Sequence, residues 1–298
     1  MDHLQAIRIF ARVVETGSFN RAARSLALPG STVSKWVADL EAQLGVKLLE
    51  RSTRKVSVTS AGAVYYDSTR RLLVELEDLE STLGNGASSP RGALRVDCGG
   101  STASALLMPA LPAFCTRYPD IEVRLTVTDR NSDLLADNID CAIRSSADDP
   151  GLISRPLGQA RWITCASPDY LDRHGVPATP QQIADARMPV VSYFSSTSGL
   201  AHPMEFARDG QSFVLQNLTA QVAVNESNAH VAAALAGLGI IQTADFIVRA
   251  EMRRQALVPI LADWARAPLQ IYLAYLPSRR HNPRIKVFSD WAASLLQA

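Results

Sequence analysis

The sequence lacks the features that mark membrane proteins, metal sites and common enzyme classes. Its longest apolar stretch, residues 231–241, is shorter than the roughly 20 residues that a membrane-spanning helix needs. The four cysteines are widely separated, and no pair of them has metal-ligand spacing. The chain also has no glycine-rich nucleotide loop, no His-x-x-x-His pair and no Gly-x-Ser-x-Gly motif. We therefore expect no catalytic residues, no metal, no cofactor and no membrane partner.

The N-terminus and the cysteines indicate a cytoplasmic protein. No cationic run precedes an apolar core at the N-terminus, so we predict no signal peptide. Three of the four cysteines lie in apolar, strand-like runs, where cysteine is usually a small buried hydrophobe. Redox sensing is the alternative, and the rarity of cytosolic disulfides disfavours it.

Net charge is almost absent, but its distribution is uneven. The chain carries a formal net charge of +1 at pH 7. Residues 1–60 hold nine lysines and arginines against five acidic residues, whereas the remainder holds 21 against 24. A basic head on a mildly acidic body is consistent with phosphate contact by the N-terminal part alone.

Helical periodicity organises the first 45 residues as a helix-turn-helix. A first helix ends at Gly17, and Ser18 or Asn20 can cap a short second helix. A tight connection over residues 27–30 leads into a third helix. Two apolar stripes recur at helical spacing and predict the buried faces of the first and third helices. These stripes are Leu4, Ile7, Phe10, Ala11 and Val14, and Val33, Val37, Leu40 and Leu44.

The third helix has the composition of a DNA recognition helix. Its buried stripe leaves short polar side chains and one cation facing outward at the N-terminal end, which suits a major groove. A two-stranded wing follows, formed by residues 46–51 and 55–59, where arginine suits a phosphate or the minor groove. Ser31 can instead be a helix cap, and Arg51 can instead form a salt bridge within the fold. The predicted DNA-binding residues are Ser31, Thr32, Ser34, Lys35, Arg51 and Arg54.

A long helix and a flexible linker follow the wing. Thr59 or Ser60 can cap a helix that runs to about Leu83. A narrow, heptad-like seam runs along it between charged faces, which favours pairing with a second copy of the helix over packing on its own body. The seam residues are Tyr65, Leu72, Leu76, Leu79 and Leu83. Residues 84–92 are rich in glycine and serine, which is typical of a hinge.

Beyond the hinge, strands and helices alternate. We predict strands at 93–98, 121–128 and 140–144, and helices at 102–118 (interrupted by Pro109 and Pro112) and 132–138. This order indicates a parallel sheet with helices on its faces. A second α/β unit begins at Trp162 and includes segments 222–224, 229–236 and 239–241. A strand at 269–275 and a helix at 283–296 return to the first unit. Two lobes with the chain crossing between them form a cleft.

Ordered motifs along the whole chain match one known family. They include GSFNRAA at 17–23, STVSK at 31–35, TSAG at 59–62, IDCAIR at 139–144 and GLGI at 237–240. With these motifs the chain resembles the LysR-type transcriptional regulators. One departure is Ala27, at a turn position where Gly or Asn is frequent; a positive φ there costs about 1 kcal/mol.

The resemblance implies the fold class and the partners. We expect an α/β protein with an all-α, winged-helix N-terminal domain, followed by a linker helix and a two-lobed α/β effector-binding domain. The expected boundaries are 1–59 for the DNA-binding domain, 60–83 for the dimerisation helix, 84–92 for the hinge and 93–298 for the effector domain. Lobe I takes about 93–161 and 268–298, and lobe II about 162–267. Expected partners are double-stranded promoter DNA, a small-molecule effector, further copies in a dimer or tetramer, and RNA polymerase.

The effector site is predicted where strands deliver their ends into the cleft. Ser101 and Thr102 open a helix whose free N–H groups suit a carboxylate, although helix capping is an equally simple role. Arg144 can instead pair with Asp129 or Asp140. The predicted effector-binding residues are Ser101, Thr102, Thr128, Arg144, Phe194 and Asn225.

Two other functions are weighed against a regulator that binds a small, anionic metabolite. A transport-type solute-binding protein needs an export signal and no DNA-reading head. A nonspecific architectural DNA protein has no use for two α/β lobes and binds without sequence preference. The sequence therefore favours a one-component transcriptional regulator.

Overall fold

The computed structural model describes residues 2–51, 56–83, 90–130 and 132–297, without the side chains of residues 51, 71, 74, 75 and 77–83. The chain forms two compact units, Met1–Gly86 and Ala87–Ala298. Among the described helices, none is both long and apolar enough to cross a membrane.

Unit 1 is a winged helix-turn-helix followed by a long helix. Its elements are α1 (His3–Thr16), α2 (Phe19–Leu26), α3 (Gly30–Leu44), β1 (Leu49–Arg51), β2 (Val56–Val58) and α4 (Ser60–Leu83). The helix boundaries follow from local chemistry. Ser18, rather than Asn20, caps α2 by accepting from the N–H of Arg21, and Gly17 takes the left-handed conformation that ends α1. Ala27 has a φ of 53°, so the costly conformation anticipated at this turn is present.

The core of unit 1 joins all three helices of the head to the wing. It contains Phe10, Val33, Val37, Leu40 and Leu48, each fully buried. Two predicted core positions are wrong, because Leu4 is 37% exposed and Leu44 is 38% exposed. The buried position near the end of α3 belongs instead to Glu41, whose carboxylate has partners that an apolar pattern cannot anticipate.

The wing is shorter than predicted. Strands β1 and β2 pair antiparallel over three residues each, with Leu49 opposite Val58. Thr59, rather than Ser60, caps α4: its hydroxyl accepts from the N–H of Gly62 at 2.9 Å and donates to the carbonyl of Lys47 at 2.7 Å. A side chain at Gly62 would place its Cβ 2.0 Å from the carbonyl oxygen of Leu48, so α4 can start against the wing only with glycine there.

The first sheet of unit 2 has five strands in the order β4-β3-β5-β14-β6. The three predicted strands pair parallel around β3, and the C-terminal strand β14 returns to this sheet as expected, antiparallel to β5 and β6. Helix α10 packs on β6. The strands and the C-terminal helix are β3 (Gly92–Cys98), β4 (Ile121–Val127), β5 (Cys141–Arg144), β6 (Ile153–Ala160), β14 (Leu269–Tyr275) and α10 (Pro283–Leu296).

Two helix predictions in this lobe need correction. The helix after β3 is continuous through both prolines, with a π-helical segment at Thr102–Leu107 followed by α5 (Met108–Arg117). In the π-helical turn, the N–H of Met108 bonds to the carbonyl of Ala103, five residues back. Residues 132–138 form a turn rather than a helix. Asp133 accepts from the N–H groups of Leu135 and Ala136, as at a helix start, but Asn138 has a φ of 53° and ends the segment after a single turn.

The second lobe is built on antiparallel as well as parallel pairs. Strand β7 pairs antiparallel with β12 and β13, β8 pairs parallel with β11, and β9 and β10 form a hairpin. Its strands are β7 (Trp162–Ala166), β8 (Val190–Tyr193), β9 (Met204–Arg208), β10 (Gln211–Leu215), β11 (Ala220–Val224), β12 (Ile241–Ala244) and β13 (Val258–Ile260). Its helices are α6 (Pro168–His174), α7 (Pro180–Asp185), α8 (Ser227–Leu235) and α9 (Asp245–Arg253).

Three cysteines behave as core residues. Cys98, Cys141 and Cys165 are buried, and Cys115 is exposed. Burial raises the pKa of the Cys98 and Cys165 thiols to about 12 and that of Cys141 well above its ordinary value. Neutral, inaccessible thiols are poor nucleophiles, which supports the structural role predicted for the cysteines in strand-like runs.

Candidate DNA-binding and effector sites

The N-terminal end of α3 presents the predicted DNA-binding residues on the head. Ser31 and Lys35 are exposed, whereas Thr32 and Ser34 are half-buried. Pro29 occupies the cap position of α3, and no side chain caps this helix. The alternative role of Ser31 as a helix cap is therefore wrong. Trp36, on the same helix, packs against the core of the head.

A buried carboxylate fixes α3 against the wing. Glu41 is 5% exposed and accepts from the N–H groups of Leu48 and Leu49 at 2.9 and 3.0 Å. Its second oxygen accepts from the Lys47 ammonium at 2.7 Å. Burial opposes the ionisation of Glu41, but these three donors outweigh it and hold the pKa of this carboxyl below its ordinary value. Helix α3 and the wing are thus joined by one ionised side chain.

The remaining DNA-binding candidates are Arg51 and Arg54, which the sequence predicts for the wing. Arg51 is the last residue of β1, but its side chain lies outside the described part of the chain, and so does Arg54 entirely. The possible salt bridge of Arg51 stays untested for the same reason.

The seam of α4 is only partly described. Tyr65 packs edge-on against Phe10, with ring centroids 5.7 Å apart, so it belongs to the core of the head. Leu72 is 61% exposed, and Leu76 is half-buried. The side chains of Leu79 and Leu83 lie outside the described residues. An exposed leucine on a long helix is consistent with a helix partner.

A cavity of about 770 Å³ lies in unit 2 between the two lobes. Four of the predicted effector residues line it, namely Ser101, Thr102, Thr128 and Arg144. Phe194 and Asn225 are half-buried but are not among the residues that line it. The N–H of Phe194 bonds to the carbonyl of Val224, which joins β8 to β11 rather than to the cleft.

At the start of the helix that follows β3, two backbone N–H groups already bond to other residues of the protein. The N–H of Gly100 donates to Asp129 at 2.7 Å, and that of Ser101 donates to the hydroxyl of Ser227 at 3.2 Å. Two of the N–H donors that the sequence suggests for a ligand carboxylate are therefore engaged by internal partners. Sequence reasoning misses Asp129, Ser227 and Tyr193 as a group, because they come together only when the lobes fold against each other.

Arg144 is held by a buried ion pair. Its guanidinium lies 3.3 Å from the carboxylate of Asp97 and donates to the carbonyl of Ser132 at 3.0 Å. The two alternative partners suggested by the sequence are wrong, since Asp129 faces lobe II and Asp140 pairs with Arg279 at 2.8 Å. Burial raises the pKa of Asp97 even though Arg144 acts in the opposite direction. Arg144 thus compensates a buried charge at the edge of the cavity.

A second group of lining residues comes from lobe II. The guanidinium of Arg266 lies 3.9 Å from the ring centroid of Trp162 and donates to Glu205 and Gln242, each at 3.1 Å. Burial lowers the pKa of Arg266, with Glu205 acting against this shift. The buried ring of His230 contacts the carbonyl of Val191 at 3.0 Å, and burial lowers its pKa, which favours the neutral form. In the described ranges, no cluster of three or more His, Cys, Asp or Glu is arranged to hold a metal ion.

Comparison with known proteins identifies both units. Residues 4–63 match the family model described as bacterial regulatory helix-turn-helix protein, lysR family, and residues 87–297 match the LysR substrate binding domain. An uncharacterized HTH-type transcriptional regulator of Escherichia coli, YhjC, is 36% identical over the whole of this chain and 99% of its own length. An HTH-type transcriptional repressor of Pseudomonas aeruginosa is 38% identical over 99% of this chain and 92% of its own.

A solved structure agrees with this assignment. The structure of CrgA, a LysR-type transcriptional regulator from Neisseria meningitidis, is 30% identical, covers 99% of both chains and aligns with a TM-score of 0.62. The helical head, the α/β unit and the relatives along the full length agree with one another. The chain belongs to the LysR family of bacterial transcriptional regulators.

Proposed function

We propose that this regulator reads double-stranded promoter DNA through α3 and that a small, anionic metabolite in the interlobe cavity controls it. The observation that carries the proposal is the presence of two features in one chain: exposed Ser31 and Lys35 on a head with its own buried core, and a cavity of about 770 Å³ in the second unit. The volume is in the range of small-molecule sites. Promoter footprinting with the purified protein, with and without candidate metabolites, tests it.

The proposal extends to assembly and to location. The exposed Leu72 supports pairing of α4 between two copies in a dimer or tetramer, which would present two heads to one operator. Contact with RNA polymerase and a cytoplasmic location are part of the same proposal, because transcription takes place there. A footprint without sequence preference would instead favour an architectural DNA protein.

Lys35→Ala is expected to weaken DNA binding. If Lys35 contacts a phosphate, affinity falls for every sequence and the slope of log K against log salt becomes shallower by about 1. If Lys35 reads a guanine, about 1–3 kcal/mol of discrimination is lost at one base position. Binding titrations over several salt concentrations separate the two cases. Lys286→Ala, an exposed lysine of unit 2, is the control; equal affinity and specificity in the Lys35 variant would remove this residue from the site.

Thr102→Val is expected to abolish the response to the effector. Valine keeps the shape of threonine but deletes the hydroxyl that lines the cavity. A metabolite screen by thermal shift should find ligands that raise the melting temperature of the wild-type protein and not of this variant, while DNA binding is unchanged. Thr126→Val, on the exposed face of β4, is the matched control. A normal response in Thr102→Val would place the ligand elsewhere in the cleft.

A further inference from the structure

One carboxylate that lines the cavity joins the two lobes. Asp129 follows β4 in lobe I, and its Oδ1 accepts from the N–H of Gly100 in the same lobe. Its Oδ2 accepts three hydrogen bonds from lobe II: from the N–H of Ser227 at 2.7 Å, the Ser227 hydroxyl at 2.8 Å and the Tyr193 hydroxyl at 3.1 Å. Each oxygen therefore serves one lobe, and the side chain bridges them.

The backbone around this bridge is shaped for close approach of the lobes. A Cβ at Gly99 would lie 2.8 Å from Oδ1 of Asp129, and one at Gly100 would lie 2.4 Å from Oε1 of Glu226. Gly100 thus allows lobe II to lie directly against the start of the helix in lobe I, and Gly99 leaves room for the carboxylate of Asp129. Ser104 adds a further interlobe hydrogen bond, from its hydroxyl to Oδ1 of Asn228 at 2.9 Å.

The bridge also satisfies two facing helix N-termini. The helix after β3 begins at Gly100, and α8 begins at Ser227, so both present partial positive charge toward Asp129. The following N–H groups of α8 are capped within lobe II by Glu226, which accepts from Asn228 and Ala229 at 2.9 and 2.8 Å. Glu226 therefore caps α8 locally, and Asp129 is the carboxylate that crosses between the lobes.

We propose that Asp129 is an interlobe latch, a positioning residue that sets the relative orientation of the lobes in the effector-free protein. Charge-assisted hydrogen bonds in a partly buried setting are stronger than neutral ones, so their simultaneous loss changes how readily the lobes separate. Gly99, Asp129, Tyr193 and Ser227 also line the cavity, so a ligand there contacts the latch directly. The contact between a ligand and the latch rests on the proposed effector function, whereas the latch itself does not.

Hydrogen exchange of the full-length protein without ligand tests the latch. In Asp129→Ala, peptides containing Gly100 and peptides containing Ser227 should exchange at least about tenfold faster, because amides on both lobes lose one acceptor. Sodium formate, which supplies the missing carboxylate, should restore part of this protection relative to sodium chloride at equal ionic strength. Tyr193→Phe, altered in lobe II only, should also speed exchange at Gly100 across the cleft.

Matched variants keep the test decisive. Glu226→Ala removes the local cap of α8 and should speed exchange in α8 peptides but not in peptides containing Gly100. Faster exchange throughout the chain in Asp129→Ala would show that this variant is unfolded, and Asp129→Asn, which conserves the shape of the side chain, is then the variant to measure. Faster exchange in Asp129→Asn that is confined to the two helix starts would support the latch. Unchanged exchange at Ser227 in both Asp129 variants would overturn the latch. Because no effector is present, this failure is distinct from a failure of the thermal-shift screen.

Discussion

Replacing Glu41 with alanine should lower the free energy of unfolding of unit 1 by about 3 kcal/mol, because two buried N–H groups and one ammonium lose their acceptor together. Chemical denaturation, monitored by far-ultraviolet circular dichroism, measures this loss of stability. The affinity for DNA should fall together with the stability. Glu50→Ala, an exposed glutamate of the same wing, should change the stability by less than about 0.5 kcal/mol. Equal effects in the two variants would show that Glu41 does not join α3 to β1.

The same carboxylate predicts a pH dependence. The pKa of Glu41 is lower in the folded than in the unfolded chain, so its ionised form favours folding. This contribution is fully present above the unfolded value of about 4.3 and is lost as the pH falls through the folded pKa. The stability difference between the wild-type protein and Glu41→Gln should therefore be largest near neutral pH and shrink below about pH 4. A difference that is constant across this range would assign the effect to packing.

Local patterns were sufficient for much of the fold. Helical spacing predicted α1, α3 and α4, and the alternation of strands and helices predicted the parallel pairs around β3. The two C-terminal elements were placed at 269–275 and 283–296, where the structure has them. In each case the signal lies in neighbouring residues, because the burial of one face is repeated along a single element.

The sequence-based predictions fail where contacts with residues distant in the sequence determine the local structure. Leu44 fits the apolar stripe of α3, yet Glu41 is the buried residue because the backbone of the wing supplies its donors. Residues 132–138 fit a short helix, but the hydroxyl of Ser132 donates to Asp97 and its carbonyl accepts from Arg144, both of which lie outside this segment. These outcomes depend on contacts formed only in the folded chain.

The effector site shows the same limit. The sequence located the helix start at Ser101 and Thr102, and both residues line the cavity. The sequence could not show that Asp129 already accepts from the neighbouring N–H of Gly100, since 29 residues separate the two. Ser227 and Tyr193, from the other lobe, lie further still along the chain. A single sequence reports which residues can bind a ligand but not which donors the fold uses for itself.

Arg144→Met should destabilise unit 2 by about 3–5 kcal/mol, because it leaves the carboxylate of Asp97 buried without its cation. The side chains of Arg144 and Asp97 are only 9% and 1% exposed, so water cannot replace the lost partner. Thermal and chemical denaturation of the full-length protein measure the loss. The loss should be smaller at acidic pH: the folded pKa of Asp97 is already raised, so its charge opposes folding only at pH values above the unfolded pKa.

A double-mutant cycle separates this structural role from ligand binding. Asp97→Asn in the Arg144→Met background removes the uncompensated charge while keeping the shape, so we expect the double variant to be more stable than Arg144→Met alone. If Arg144 serves to compensate the charge of Asp97, the double variant regains stability. Any change in effector response should then follow the change in stability. A different result, in which Arg144→Met keeps the wild-type melting temperature but no longer responds to an identified effector, would make Arg144 a ligand-binding residue after all. The cycle thus assigns Arg144 either to the support of the cavity or to its ligand.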